Sequence, residues 1–131
     1  MRRRKARADG FKSRFEANIA EYLTANNINW EYEKCKLKYV IPETIHTYTP
    51  DWTIGKDNSI LWESKGRLTL SDRKKMLYVL TSNPNVRIRM VFQDASVPIV
   101  KNSKTTYGNW CTKNEIPWCT FGDNQWKEWT K

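Results

Sequence analysis

The chain has 131 residues, 39% apolar and 13% aromatic, with seven Trp; this is enough for one packed domain, too short for two ordinary ones and too apolar for a disordered chain. Lys and Arg number 23 against 14 Asp and Glu, a formal net charge of +9 that suits a polyanionic partner. Cys35, Cys111, Cys119 and the single His46 show no ligand-type spacing, which argues against a disulfide framework or a zinc site and fits a reducing, cytoplasmic setting; no apolar run suits a secretory core or a membrane span.

Residues 1–10 read as a flexible basic arm: Arg2, Arg3, Arg4, Lys5 and Arg7 precede Gly10, and Lys12 and Arg14 follow it; these seven are candidates to bind DNA, with a solvated tail or a localisation signal as the alternative. A single domain is expected over 11–131. Phe11, Phe15, Ile19, Tyr22 and Leu23 recur at helical spacing, so 11–26 is expected to be an amphipathic helix closed by Asn26-Asn27. From Trp30 the chain runs to Ile41, and Leu37, Tyr39 and Ile41 alternate with Lys36, Lys38 and Val40 as in a strand. Pro42 ends it, and the polar stretch up to Pro50 reads as a loop or an extended bridge. Strands are expected at about 51–54 and 59–64, joined by the turn Gly55-Lys56-Asp57-Asn58. Ser71-Asp72 suits a helix start, Met76, Leu77 and Leu80 supply its apolar face, and Asn83-Pro84-Asn85 stops it. Val86, Ile88, Met90 and Phe92 alternate with Arg87, Arg89 and Val91 as a further strand. A short helix is expected near 107–114, and a Trp-rich end at 126–129 is left without a defined element. This order describes a mixed α/β domain around a small central sheet.

The segment that carries chemistry is Pro50-Asp51, then Glu63-Ser64-Lys65. Glu63 and Lys65 share one face of their strand, because side chains alternate. Antiparallel pairing brings the start of the first strand beside the end of the second, so Asp51, Glu63 and Lys65 converge. Carboxylates hold Mg²⁺, a hard ion, and a neighbouring Lys can orient water or neutralise phosphate, which is what phosphodiester hydrolysis needs. The competing reading is of solvent-facing residues on an edge strand and a turn Asp. Glu16 sits at the margin of the first helix's apolar stripe, placed either to reach a metal or to form an ordinary surface ion pair. Arg67, Arg73, Lys74 and Lys75 follow the motif and are candidates to hold flanking phosphates, as are Arg87 and Arg89; a solvated face is the alternative. His46 reads as a hydrogen-bonding loop residue, and the cysteines as core fillers.

Phe11-Lys12-Ser13-Arg14-Phe15-Glu16, Tyr39-Val40-Ile41-Pro42, His46-Thr47-Tyr48-Thr49-Pro50-Asp51, Glu63-Ser64-Lys65-Gly66, Asp72-Arg73-Lys74-Lys75, Arg87-Ile88-Arg89-Met90-Val91-Phe92 and Thr106-Tyr107-Gly108 stand in one order. Together they resemble the endonuclease I family of the T-odd bacteriophages over about residues 11–118. The resemblance implies a restriction-endonuclease-like nuclease fold and a Holliday-junction-resolving endonuclease dependent on Mg²⁺ or Mn²⁺. It implies catalytic roles for Glu16, Asp51, Glu63 and Lys65, with metal held by Asp51, Glu63 and Glu16. It also implies an intertwined homodimer whose first helix and strand cross to the partner over a bridge near Pro42 to His46, and hence an active site shared between chains. Against the family pattern, the C-terminus is short and the arm Arg2 to Arg7 is unusually basic. A sequence-specific homing endonuclease on the same core is the enzymatic alternative, and a non-catalytic DNA-binding module is the alternative of another class.

Overall fold

The computed structural model describes residues 10–41, 44–56 and 59–131. The arm residues Arg2, Arg3, Arg4, Lys5 and Arg7, the turn residues Asp57 and Asn58, and Pro42 and Glu43 lie outside the described residues. The elements are α1 (Arg14–Ala25), β1 (Trp30–Tyr32), β2 (Leu37–Ile41), β3 (Thr44–Tyr48), β4 (Trp52–Ile54), β5 (Ile60–Lys65), α2 (Leu70–Ser82), β6 (Arg87–Phe92), α3 (Tyr107–Lys113), β7 (Trp118–Thr120) and α4 (Asn124–Trp129). No helix among the described residues is long and apolar enough to cross a membrane.

Five strands form one mixed sheet in the order β1-β4-β5-β6-β7, with β1/β4 and β4/β5 antiparallel and β5/β6 and β6/β7 parallel. Helix α2 supplies the crossover between the parallel strands β5 and β6, the connection that such pairing requires. The sheet is covered on both sides. Leu61, Ile88, Met90 and Phe92 face one core with Met76 and Val79 of α2 and with Tyr107, Trp110 and Cys111 of α3. Trp52, Ile54, Trp62, Val91 and Cys119 face a second core with Phe15, Ile19 and Leu23 of α1 and Trp126 of α4. Alternation along β5 and β6 feeds both cores, Leu61, Ile88, Met90 and Phe92 to one and Trp62 and Val91 to the other.

The region from Trp30 to Tyr48 holds the strand expected at Leu37–Ile41 and two more besides. It splits into β1, at the sheet edge, and β2, in a separate two-stranded sheet with β3. Glu33, with a backbone φ of +52°, marks the break just after β1. Of the loop and the extended segment that the sequence allows here, Thr44–Tyr48 is extended, a strand in antiparallel register with β2 from Leu37↔Tyr48 to Ile41↔Thr44. Within one chain this hairpin folds back and lays Tyr39 and Tyr48 on the core beneath α2. His46 is correspondingly a strand residue, its ring stacked 5.3 Å from that of Tyr39 and hydrogen-bonded to Thr44 Oγ1 at 2.9 Å. Helix α2 begins earlier than the sequence suggests: Thr69 is its N-cap, in a capping box with Asp72. The Trp-rich end forms α4, capped by Asp123.

Candidate active site

The register Trp52↔Trp62 sets Asp51, immediately before β4, beside the residues that close β5. Asp51 Oδ2 accepts hydrogen bonds from the Ser64 backbone N–H at 2.9 Å and the Ser64 hydroxyl at 2.8 Å. The Ser64 hydroxyl is itself held by the Trp52 indole N–H at 3.3 Å. These contacts fix Asp51 as part of the sheet rather than as a free turn residue.

Glu63 and Lys65 lie on the same face of β5 as Leu61. Glu63 is 7% exposed. Its Oε1 accepts a hydrogen bond from the Tyr48 hydroxyl at 2.6 Å, and its Oε2 stands 3.4 Å from Lys65 Nζ. Lys65 Nζ also donates to Asp72 Oδ1 at 3.1 Å. Glu16, buried on α1, completes the group from the other side of the cleft. Its Oε1 accepts from the Tyr32 hydroxyl at 2.6 Å and the Lys12 backbone N–H at 3.0 Å. Glu16, Asp51, Glu63, Ser64 and Lys65 line one polar cavity of about 420 Å³, together with Lys12, Glu33, Lys36, Tyr48, Thr49 and Lys75. The structure thus brings all four predicted residues to one cavity within a single chain.

The electrostatics are those of charge crowded out of water. Burial, and then the charge of Asp51, pushes the Glu63 carboxyl up to about 7. Burial also raises Asp51, against the Ser64 hydrogen bonds and Lys65 that favour its ionised form. Glu16 is raised by burial, partly offset by the Tyr32 hydrogen bond. For Lys65, burial opposes the ammonium form, but Glu63 and Asp72 outweigh it and the net shift is upward. The site therefore holds a firmly charged ammonium beside carboxylates reluctant to ionise without added positive charge. Among the described residues, no three Asp, Glu, His or Cys side chains are grouped to hold a metal ion by themselves. Asp51 and Glu63, facing an open polar cavity, suit an ion that keeps its waters and takes the remaining ligands from a phosphate, the usual habit of Mg²⁺.

The family model for phage endonuclease I matches residues 1–125, a span that holds every residue of this cavity. The chain belongs to the phage endonuclease I family. It is 39% identical over 106 residues to endodeoxyribonuclease 1 of Enterobacteria phage T3, a stretch covering 81% of this chain and 68% of the relative. It is 40% identical over 106 residues to endonuclease I of Escherichia phage T7, covering 81% of this chain and 70% of the relative.

In this member of the endonuclease I family the basic residues named from sequence divide. Lys12 and Lys75 line the cavity, with Lys12 paired to Glu33 at 2.8 Å and Lys75 Nζ 5.5 Å from the centre of the Tyr48 ring. Arg67 and Lys74 are exposed, Lys74 along the groove between α2 and the hairpin. Arg14 is exposed but lines a different depression, with Phe11 and Trp30. Arg73 overturns its expectation as a phosphate contact. It is buried, and its guanidinium donates to the Leu68 carbonyl at 2.9 Å and the Ile99 carbonyl at 3.4 Å, so it ties α2 to the loop before it and to the loop after β6. Arg89 lies 4.8 Å from the Trp129 ring and is half-buried, away from the cavity.

Sequence reading missed Tyr48, Ser64, Tyr32, Lys36 and the contact of Asp72 with Lys65. Tyr48 and Ser64 stand inside the quoted motifs, where their position beside the acids was the available signal. Asp72 was read for its helix dipole alone, and its second oxygen is what meets Lys65. Tyr32 carried no signal, because its meeting with Glu16 spans 16 residues and depends on how α1 packs over β1.

Proposed function

We propose that this protein is a metal-dependent DNA endonuclease of restriction-endonuclease-like fold that hydrolyses phosphodiesters and selects four-way junctions. The observation that carries this reading is the convergence of Asp51, Glu63 and Lys65 at one end of β4 and β5, in a polar cavity flanked by Lys12, Lys36 and Lys75. The names of the phage T3 and T7 relatives supply the nuclease class.

Asp51 and Glu63 would hold Mg²⁺ or Mn²⁺, with Glu16 lining the same cavity. When bound, the metal supplies Lewis-acid stabilisation of the phosphate and a hydroxide-like water near neutral pH. The chain's own groups do the rest. Ser64 orients Asp51 through two hydrogen bonds, Tyr48 orients Glu63, and Lys65 offers a charged ammonium that can direct the attacking water or meet charge on the phosphate. Lys12, Lys36 and Lys75 are positioned to receive the flanking backbone, which sets register without reading bases.

A two-fold dimer would suit a junction needing two symmetrical cuts. Exchange of the segment from α1 to β2 would place Glu16 of one chain with Asp51, Glu63 and Lys65 of its partner. Co-refolding of Glu16→Ala with Lys65→Ala tests this. Recovered nicking means a shared site, whereas a confirmed heterodimer without activity means that each site is built within one chain.

The primary test is cleavage of a four-way junction and of linear duplex with Mg²⁺, and with EDTA. Junction cleavage with Mg²⁺ only, lost in Lys65→Ala with DNA binding retained, is the expected result. Mg²⁺-dependent cutting by Asp51→Ala protein would refute the site.

A further inference from the structure

Lys65 is gripped from two directions. Glu63 lies on its own strand, and Asp72 reaches it from the first turn of α2. Asp72 is not a loose surface acid. Its Oδ2 accepts the Thr69 backbone N–H at 2.9 Å, and its own N–H donates to Thr69 Oγ1 at 3.1 Å, the reciprocal pair of a capping box. That leaves Oδ1 aimed at Lys65 Nζ, 3.1 Å away. A long, flexible ammonium is thereby tied to a rigid helix terminus. Glu63, the other partner, is only 3.4 Å from the amine and is needed elsewhere if it holds metal.

We propose that Asp72 is the positioning residue for Lys65: its carboxylate, fixed through Oδ2 by the Thr69 backbone N–H, holds the Lys65 ammonium at the reacting phosphate. The proposal rests on the endonuclease reading for its catalytic consequence but not for the structural link. Side chains that orient a reacting group through a second set of hydrogen bonds typically change activity by about 10–100-fold when replaced. Asp72 does not line the cavity, so it acts through Lys65 rather than on substrate.

Two variants separate positioning from capping. Asp72→Asn keeps an acceptor for the Thr69 N–H and replaces the charge facing Lys65. Thr69→Ala removes the hydroxyl of the capping box and leaves the Asp72–Lys65 contact. The first readout needs neither metal nor DNA: ¹H–¹³C spectra of protein carrying labelled lysine, with the Lys65 signal assigned by its loss in Lys65→Arg. The two Hε protons of Lys65 should be inequivalent in the native protein and in Thr69→Ala, and averaged in Asp72→Asn. The second readout is steady-state junction cleavage. Asp72→Asn should lower kcat by about 10–100-fold without raising KM, and Thr69→Ala should keep a near-native kcat. Inequivalent Lys65 protons in Asp72→Asn, averaged ones in Thr69→Ala, or an unchanged kcat in Asp72→Asn would each overturn the proposal. Native protein that cuts no DNA with Mg²⁺ or Mn²⁺ would overturn the endonuclease reading instead, and the spectra would still decide whether Asp72 holds Lys65.

Discussion

Replacing Glu63 by Gln should make the metal-free protein more stable in alkali while removing its chemistry. Glu63 is raised from 4.5 to about 7, with burial the largest cause and the Asp51 charge second. Its ionised form is therefore penalised in the fold relative to the unfolded chain. The sign follows by linkage. Below pH 4.5 the carboxyl is protonated in both states and costs nothing; from 4.5 to 7 the unfolded chain ionises while the folded group resists, so stability is lost across that window, and above 7 the fold carries the charge and the loss levels off. Each pH unit between the two values corresponds to about 1.4 kcal/mol, so the penalty above pH 7 is about 3 kcal/mol. Glutamine keeps the shape and an acceptor for the Tyr48 hydroxyl, gives up the attraction to Lys65, and relieves Asp51, so the net gain should be about 1–3 kcal/mol at pH 8.5. Urea unfolding in EDTA from pH 4 to 8.5 measures it. The Gln variant should gain on the native protein between pH 5 and 8, and Mg²⁺ should stabilise the native protein but not the variant. A stability difference independent of pH across that range would refute the reasoning.

Three further outcomes follow from particular contacts. Arg73→Ala should destabilise the protein by about 1–3 kcal/mol in urea, since it strands the Leu68 and Ile99 carbonyls, and should leave the salt dependence of DNA binding unchanged. Lys75→Ala should do the reverse, leaving stability near native while reducing the log–log salt slope by about 0.9 in a titration of binding against salt. Gly108→Ala should cost about 1–3 kcal/mol by thermal melting, because a Cβ there would stand 2.6 Å from the Trp118 ring, which is anchored by its indole hydrogen bond to Thr112.

Most of what the molecule is built from was legible along the chain. Apolar periodicity marks α1, α2 and β6, and turn residues bracket β4 and β5, because these signals depend on neighbours a few positions apart. The alternation rule alone puts Glu63 and Lys65 on one face, and antiparallel pairing across a short turn puts Asp51 beside them. Tertiary structure decided the rest. Thr44–Tyr48 reads as a loop or an extended bridge until it pairs with β2, because the pairing partner that makes it a strand is not visible in its own polar pattern. Arg73 cannot be told from Lys74 or Lys75 in a basic run, yet helix geometry turns Arg73 inward to two carbonyls and leaves its neighbours in water. Glu16 is a margin acid in the sequence. Only the packing of α1 over β1, far along the chain from β5, brings it to the cavity of Asp51 and Glu63. Local pattern sets which side chains share a face; long-range packing sets which faces meet, and the raised carboxylates of this site exist only where those faces exclude water.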